Sequence, residues 1–236
     1  MKVFAISDLH LSFQADKPMD IFGPHWEDHP QRLKKAWIES VRDGDIVLIP
    51  GDISWSMKLK DASSDLEFIH QLPGTKIILK GNHDYWWSSL SKVKQISPSS
   101  IIPIQNTAIL INDVGIAGSR LWIDPDLRLE KATEEDSRLH ERELGRFAMS
   151  LDQLSTQAHI RIIMTHFPPL SLDGKTGRAV KTAADYKCSH WVFGHMHLGN
   201  VNYDNFNTTI GSTRFHFISA DYLEFCPKLI YDTDNP

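Results

Sequence analysis

The sequence predicts an α/β fold in which short buried strands alternate with amphipathic helices. Five runs are apolar at consecutive positions and rich in β-branched residues, as is typical of strands covered on both faces. They span residues 3–6, 46–49, 77–79, 160–164 and 191–193. Helical periodicity over 31–41 and 59–72 separates the first three runs. This alternation is typical of βαβ units.

The middle and the end of the chain predict further elements. The runs 108–111 and 114–117 meet at Asn112-Asp113 and predict a hairpin. A long helix is expected from about Thr133, with Asp136 as its N3 partner and an apolar stripe of Leu139, Leu144, Phe147, Leu151 and Leu154. Alternation over 215–218 predicts a second, partly antiparallel sheet. With no repeat or linker in the sequence, residues 1–236 are expected to form one domain.

Composition excludes several classes of protein. Of 236 residues, 41% are hydrophobic and 23% charged, which excludes a disordered chain and a membrane bundle. The net charge of −5 provides no overall attraction to nucleic acid. Two cysteines outside any metal-binding spacing favour reduced thiols in an intracellular protein. The first apolar stretch is too short for a signal peptide and no apolar run could span a membrane, so a cytoplasmic location without membrane contact is expected.

Metal-capable side chains follow each of the five strands. The residues are Asp8 and His10, then Asp52, then Asn82, His83 and Asp84, then His166, and finally His195 and His197. Each short motif is weak alone, but open α/β sheets bind ligands at the carboxyl ends of their strands. The joint placement therefore predicts one site.

The types of side chain indicate which metal this site would hold. Imidazole, carboxylate and amide oxygen suit Mn, Fe or Zn, and the lack of cysteine argues against an iron–sulfur cluster. The ligands are too many for one tetrahedral zinc and about right for two ions. A two-ion site can clamp the attacking and leaving oxygens of a phosphoryl displacement.

The ordered motifs resemble those of the calcineurin-like metallophosphoesterase superfamily. They are Asp-x-His, Gly-Asp, Gly-Asn-His-Asp, a lone His and Gly-His-x-His, spanning residues 8–197. The resemblance implies a four-layer α/β/β/α sandwich of two mixed β-sheets. It implies one metal on Asp8, His10, Asp52 and His197, and a second on Asp52, Asn82, His166 and His195. The run Tyr85-Trp86-Trp87 also resembles a bacterial subgroup of predicted phosphohydrolases.

The expected mechanism is attack on phosphorus by a hydroxide bridging two transition metal ions. His83 is the candidate general acid, or a donor to the phosphoryl group. Asp84 is expected to orient the His83 ring, and a helix N-cap is its alternative role.

The sequence departs from the motifs of several subfamilies of this superfamily, which argues against membership of those subfamilies on the resemblance alone. Trp55 stands where a purple acid phosphatase would have a tyrosine ligand, and the Gly-Asp-x-x-Asp-Arg-Gly pattern of protein phosphatases is missing. His83 stands where lipid A pathway pyrophosphatases typically have arginine. Because all of the implied ligands are present, a non-catalytic scaffold is disfavoured.

Candidate substrate contacts are Arg120, His25 and Trp26. Arg120 could grip phosphate or lie on the surface, and the 13–30 segment could shape access or only cover the core. Trp55, Trp86, Trp87 and Trp122 could stack a nucleobase, but core packing is favoured. Arg138, Arg142 and Arg146 are expected on a solvated, paired helix face, and 168–177 is a candidate lid.

Three functions follow from these observations. The leading hypothesis is hydrolysis of phosphate mono- or diesters in a small phosphorylated substrate. A nuclease or cyclic-nucleotide phosphodiesterase is the alternative, with the acidic net charge disfavouring long nucleic acid. A metal-binding scaffold without turnover is the third. The sequence does not indicate an oligomeric state.

Overall fold

Two β-sheets divide the strands of the chain between them. The computed structural model describes residues 1–128, 131–199 and 201–235. The first sheet has the order β11-β1-β2-β3-β4, with strands β1 Lys2–Ala5, β2 Ile46–Pro50, β3 Thr75–Leu79, β4 Ile101–Pro103 and β11 Lys228–Asp232. The second has the order β5-β6-β7-β8-β10-β9, with strands β5 Thr107–Ile111, β6 Val114–Ser119, β7 Ile160–Thr165, β8 His190–Phe193, β9 Thr209–Ile210 and β10 Thr213–Phe217.

Both sheets are mixed. Strands β1 to β4 run parallel, and β11 pairs antiparallel with β1. In the second sheet β6, β7, β8 and β10 run parallel, with antiparallel β5 and β9 at the edges. Because parallel strands end at the same edge of a sheet, the motifs after β1, β2 and β3 lie at one edge of the first sheet. The motifs after β7 and β8 likewise lie at one edge of the second sheet.

The helices cover the outer faces of the sheets. They are α1 His29–Ser40, α2 Ser63–His70, α3 Leu90–Ile96, α4 Glu134–Leu151 and α5 Arg178–Ala183. Helices α1 and α2 pack on the first sheet through Leu33, Trp37 and Leu66. Helices α4 and α5 pack on the second through Phe147 and Ala179.

A third apolar core lies between the sheets. Val3 and Ala5 face inward and meet side chains of the second sheet such as Ile162, whereas Phe4 faces the helices. This alternation follows from the two-residue period of a strand and accounts for runs that are apolar at every position. The layers are helix, sheet, sheet and helix, which confirms the α/β/β/α sandwich.

Some sequence predictions were correct and others need correction. All five buried strands form, as does the 107–119 hairpin, whose turn places Asn112 at a φ of 53°. The predicted 59–72 helix is shorter, because the segment before Ser63 forms turns. Helices α3 and α5 and the three-residue strand β4 were not predicted, since each is too short to show a period. The run 215–218 contributes β10 to a second sheet with antiparallel edge strands, as predicted, whereas the last strand, β11, joins the first sheet.

The composition also led to expectations about the cysteines and about membrane-spanning helices. Cys188 and Cys226 are both free. Among the described helices, none is both long and apolar enough to cross a membrane.

The N-terminus of α4 supplies a stability test. The Thr133 hydroxyl accepts from the Asp136 N–H at 3.0 Å, and the Asp136 carboxylate accepts from the Thr133 N–H at 3.3 Å, completing a capping box. We expect Thr133→Ala to lower the free energy of unfolding by about 1 kcal/mol in chemical denaturation. Thr133→Ser retains the hydroxyl and is expected to lose far less; equal losses in both variants would contradict the cap.

Candidate metal centre

Loops from both sheets meet at one edge of the sandwich. The N–H groups of Asp8 and His10 donate to the carbonyl oxygens of Gly51 and Asp52, each at 3.0 Å. The His195 N–H donates to the Asp8 carboxylate at 3.0 Å, which ties the second sheet to the first. The five predicted loops thus converge although their strands belong to two sheets.

Six side chains form two groups at this edge. One group is Asp8, His10 and His197, the other is Asp52, His166 and His195, and within each group the potential ligand atoms lie within 4.8 Å of one another. The Nε2 atoms of His10 and His197 are 3.1 Å apart. Two nitrogens bound at right angles to one ion, each at about 2.1 Å, would lie about 3 Å apart. The division matches the two ligand sets implied by the resemblance.

Asp52 lies between the two groups. Its Oδ2 atom is 3.8 Å from His10 Nε2 and 3.5 Å from His166 Nε2. Its Oδ1 atom accepts from the His83 N–H at 2.8 Å, but Oδ2 is buried without a hydrogen-bond partner. Burial, and then the charge of Asp84, raise the pKa of Asp52. A buried carboxylate oxygen facing two imidazoles fits a shared cation, which would favour the ionised form.

Asn82 completes the second group. Its Oδ1 atom is 2.6 Å from His166 Nε2, so an amide oxygen joins the imidazoles and Asp52. Imidazole, carboxylate and amide oxygen fit Mn, Fe or Zn, and no thiolate is among the clustered side chains that the structure describes. The residues present therefore fit two metal ions of this class.

Neighbouring groups orient two of the histidines. Nδ1 of His166 is 3.0 Å from the Pro50 carbonyl oxygen, and Nδ1 of His197 is 3.3 Å from Asp221 Oδ1. Holding the proton on Nδ1 leaves the Nε2 lone pair free for a metal, as is common around ligand histidines. Burial would lower the pKa of His197, but the Asp221 hydrogen bond and the charges of Asp8 and Asp221 raise it to about 9.

Asp221 was missed by the sequence reasoning. It is buried, and it also accepts from the Leu198 N–H at 2.7 Å, so it positions both the side chain and the loop of His197. It follows the alternating run 215–218 as the other site residues follow their strands. That placement after a strand was the available signal.

The backbone of the loops brings the side chains close together. Four site residues have a φ between 47° and 74°, a region that residues other than glycine seldom adopt, namely Asp8, His10, Asp52 and His195. Glycine is needed where loops touch: a Cβ at Gly81 would collide with Asp52 Oδ1, and one at Gly194 with Ser7 Oγ and Asp8 Oδ2.

His83 lies beside the two groups rather than in either. Its ring is 4.6 Å from the Trp55 ring and 5.8 Å from the His10 ring, measured between centroids. Its Nδ1 atom is buried without a partner. Burial, followed by the charges of His166 and His197, lowers the pKa of His83 to about 4. At neutral pH this ring is a neutral imidazole with one N–H to donate.

Asp84 does not orient His83, which corrects the predicted role. Its carboxylate accepts from the N–H groups of Ile53, Ser54 and Gly81, at 2.9, 3.2 and 2.7 Å, and from Trp86 Nε1 at 2.9 Å. The N-cap alternative fails as well, since the next helix is α3, capped by Ser89. Asp84 instead joins the loop of Asp52 to the loop of Asn82.

The structure separates the three predicted substrate contacts. Trp26 is 2% exposed and packs edge-on against the candidate ligands His10 and His197, so its place is in the packing beneath the site rather than at its surface. His25 is 36% exposed and its Nε2 lies 4.0 Å from Asp221 Oδ2, so contact with substrate stays a prediction. Arg120 is half-buried and its guanidinium lies 3.4 Å from Glu143.

The remaining aromatic residues serve packing. Trp55, Trp86 and Trp87 are buried, as the core alternative predicted, and Trp55 stacks on His10 at 4.7 Å. The half-buried Trp122 packs on Phe167.

A groove of about 580 Å³ begins at His195. The other residues of its mostly apolar wall are Ile123, Asp124, Leu127, Arg128, Pro168, Leu170, Ser171, Leu172, Asp173, Met196 and Phe206. Part of the 168–177 segment, predicted as a lid, is therefore a wall of this groove.

The close approach at Gly194 gives a direct test of the site. We expect Gly194→Ala to displace Asp8 and to reduce metal bound per chain, measured by elemental analysis of dialysed protein. Gly199→Ala is the matched control, because no described atom lies within 4 Å of the added Cβ. Equal metal content in both variants would rule out the proposed geometry.

Asp221 allows a second test. Asp221→Asn removes the charge that supports His197, and metal affinity is expected to fall about 10-fold or more in a competition titration. The exposed Asp185→Asn should leave affinity unchanged. An unaltered affinity in Asp221→Asn would show that the contact has no influence on metal binding.

Comparisons with known proteins agree with this geometry. Residues 1–199 match the sequence model of the Metallophos family, calcineurin-like phosphoesterase. A protein of unknown function, AQ665 from Aquifex aeolicus, has a similar structure, with a TM-score of 0.53 and 15% identity over 97% of this chain and 95% of that one. Phosphopantetheinyl hydrolase (PptH) from Mycobacterium tuberculosis gives a TM-score of 0.59 and 14% identity over 100% and 98%.

At these identities the two structures show a shared fold alone. No curated protein matched this chain in sequence. The family match covers most of the chain and includes every strand-end motif, so the chain belongs to the calcineurin-like phosphoesterase family.

Proposed function

We propose that this protein hydrolyses phosphate mono- or diesters with two transition metal ions. One observation carries the proposal: the unpartnered Oδ2 of Asp52 lies between two groups of metal-capable side chains. Family membership supports a metal-dependent phosphoesterase in general. The dinuclear centre and the reaction of His83 are our inference from the geometry.

The side chains divide the work of binding the ions. Asp8, His10 and His197 would hold one ion, Asn82, His166 and His195 the other, and Asp52 both. When bound, such ions lower the pKa of water and offset the charge of phosphoryl oxygens. The metal identity that fits is Mn, Fe or Zn.

His83 would donate a hydrogen bond to the phosphoryl group or its leaving oxygen. Its backbone N–H is anchored on Asp52 and its ring packs on Trp55, so the imidazole is held next to the ligand groups. A donor positioned in advance stabilises charge that develops in the transition state. If His83 also transfers a proton, its loss will matter most for poor leaving groups.

The natural substrate is proposed to be a small phosphorylated molecule. The groove at His195 has room for an organic group attached to the phosphate. The nuclease alternative is weaker, because three of the four tryptophans that could stack bases are buried and the net charge is −5. The scaffold alternative is disfavoured by the complete set of candidate ligands and the adjacent donor.

Turnover of aryl phosphates tests the proposal. Protein loaded with Mn, Fe, Zn, Ni or Co is expected to hydrolyse p-nitrophenyl phosphate or bis-p-nitrophenyl phosphate. Asp52→Asn should lose activity and bound metal together, while Asp185→Asn retains both. No turnover with any of these metals, despite two ions bound per chain, would refute the enzyme function.

The His83→Ala variant separates the two roles of this residue. We expect kcat to fall by about 10²- to 10⁴-fold. A larger loss with phenyl phosphate than with p-nitrophenyl phosphate indicates proton donation to the leaving oxygen, and equal losses indicate a hydrogen bond to the phosphoryl group. Unchanged kcat for both substrates would remove His83 from the mechanism.

A further inference from the structure

We infer that a cationic pocket beside the metal centre binds a second phosphate group, so that the substrates are small molecules carrying two phosphate groups. This inference rests on the proposed phosphoesterase function and adds a substrate class to it. The pocket is a cavity of about 200 Å³ at the carboxyl ends of β3 and β6, bounded by Leu79, Lys80, Gln105, Asn106, Arg120, Arg142, Glu143 and Arg146.

The charges in this cationic pocket are not balanced. Guanidinium groups of Arg120, Arg142 and Arg146 converge on a single oxygen, Oε1 of Glu143, at 3.4, 3.3 and 2.7 Å. Glu143 is only 3% exposed, and one carboxylate neutralises one of the three cations. Lys80 contributes a further positive charge, and its Nζ donates to the Trp87 carbonyl oxygen at 2.8 Å. An ammonium has three donors, so two remain for a ligand.

This arrangement agrees in part with the one predicted from the sequence. The three arginines of α4 were expected to share a solvated, paired face. The side chains of Arg142 and Arg146 are 52% and 39% exposed and both pair with Glu143, as predicted. They also bound the cavity, whereas the exposed Arg138 does not. Glu143 holds the guanidinium groups in place, which lowers the entropic cost of gripping an anion.

The cationic pocket adjoins the second group of candidate metal ligands. The Arg120 carbonyl oxygen accepts from the N–H of Phe167, the residue after His166, at 3.0 Å. Lys80 precedes Asn82 by two positions, so their Cα atoms lie within about 7 Å of each other. One small molecule could thus place one phosphate at the metal centre and another in the pocket.

The chemistry and size of the cationic pocket select phosphate. Guanidinium groups recognise phosphate through paired N–H donors, and a dianion matches the excess charge better than a single carboxylate does. A volume of about 200 Å³ is below the usual range for a drug-sized ligand and suits a small polar group.

Binding of phosphonates that cannot be hydrolysed tests this inference independently of turnover. Metal-loaded protein would be titrated calorimetrically with alkane-α,ω-bisphosphonates of three to six carbons and with the matching alkyl monophosphonates. At least one bisphosphonate is expected to bind about 10-fold more tightly than its monophosphonate, a difference of about 1.4 kcal/mol. No preference at any chain length would overturn the inference, even if the protein hydrolyses aryl phosphates.

Variants identify where the second group binds. Arg146→Gln should bring the ratio of bisphosphonate affinity to monophosphonate affinity close to one. Arg142 is more exposed, so Arg142→Gln provides a second variant that disturbs folding less. Arg138→Gln on the same helix should leave the preference unchanged. A preference that survives in both pocket variants would assign the second phosphate to another site. An ω-phosphonoalkanoic acid that binds as tightly as the best bisphosphonate would overturn the choice of phosphate over carboxylate.

Discussion

A carboxylate oxygen buried without a protein partner is the constraint on which the rest of the site depends. Taking Asp52 Oδ2 out of water is costly unless a cation or a hydrogen-bond donor compensates, and the imidazoles of His10 and His166 lie 3.8 and 3.5 Å from it. The fold places potential metal ligands around this oxygen, and among the described residues no N–H group donates a hydrogen bond to it. The arrangement of these side chains therefore favours a bound cation.

Much of the surrounding structure holds these side chains in position. Left-handed backbone at Asp8, His10, Asp52 and His195 is unfavourable in isolation, and the sandwich holds it in place. Asp84 ties the loop of Asp52 to the loop of Asn82, and Gly81 lets these two loops touch. Gly194 lets the loop of His195 approach the loop of Asp8. The pattern is one of local strain compensated by burial and by hydrogen bonds from neighbouring loops.

The sequence predicted the parts of the site that obey local rules. A strand buried on both faces is apolar at each position, so its end, and the residue after it, could be located for Asp8, Asp52 and His166. Which of the two sheets each of the five strands joins depends on strand pairing. The hydrophobic periodicity of a single segment carries no information about its pairing partners. Asp221 was missed because its partner, His197, lies on a different strand's loop. Asp84 was misassigned because adjacency to His83 suggested a contact, whereas its side chain turns to backbone N–H groups.

The four-layer arrangement came from the resemblance of the motifs, not from periodicity. The cationic pocket could not be predicted either, since three arginines at helical spacing look like an ordinary solvated face. The pairs of Arg142 and Arg146 with Glu143 form within α4, but Arg120 reaches Glu143 only because α4 packs against β6. The side chains that we propose to recognise a second phosphate are thus brought together partly by tertiary structure, whereas the candidate metal ligands can be recognised from the motifs.

The most direct test of the central claim is an anomalous diffraction experiment on crystals of the metal-loaded protein. Our account predicts two anomalous peaks per chain, about 3.5–4 Å apart, with Asp52 bound to both. A single peak, or two peaks of which neither contacts Asp52, would contradict it.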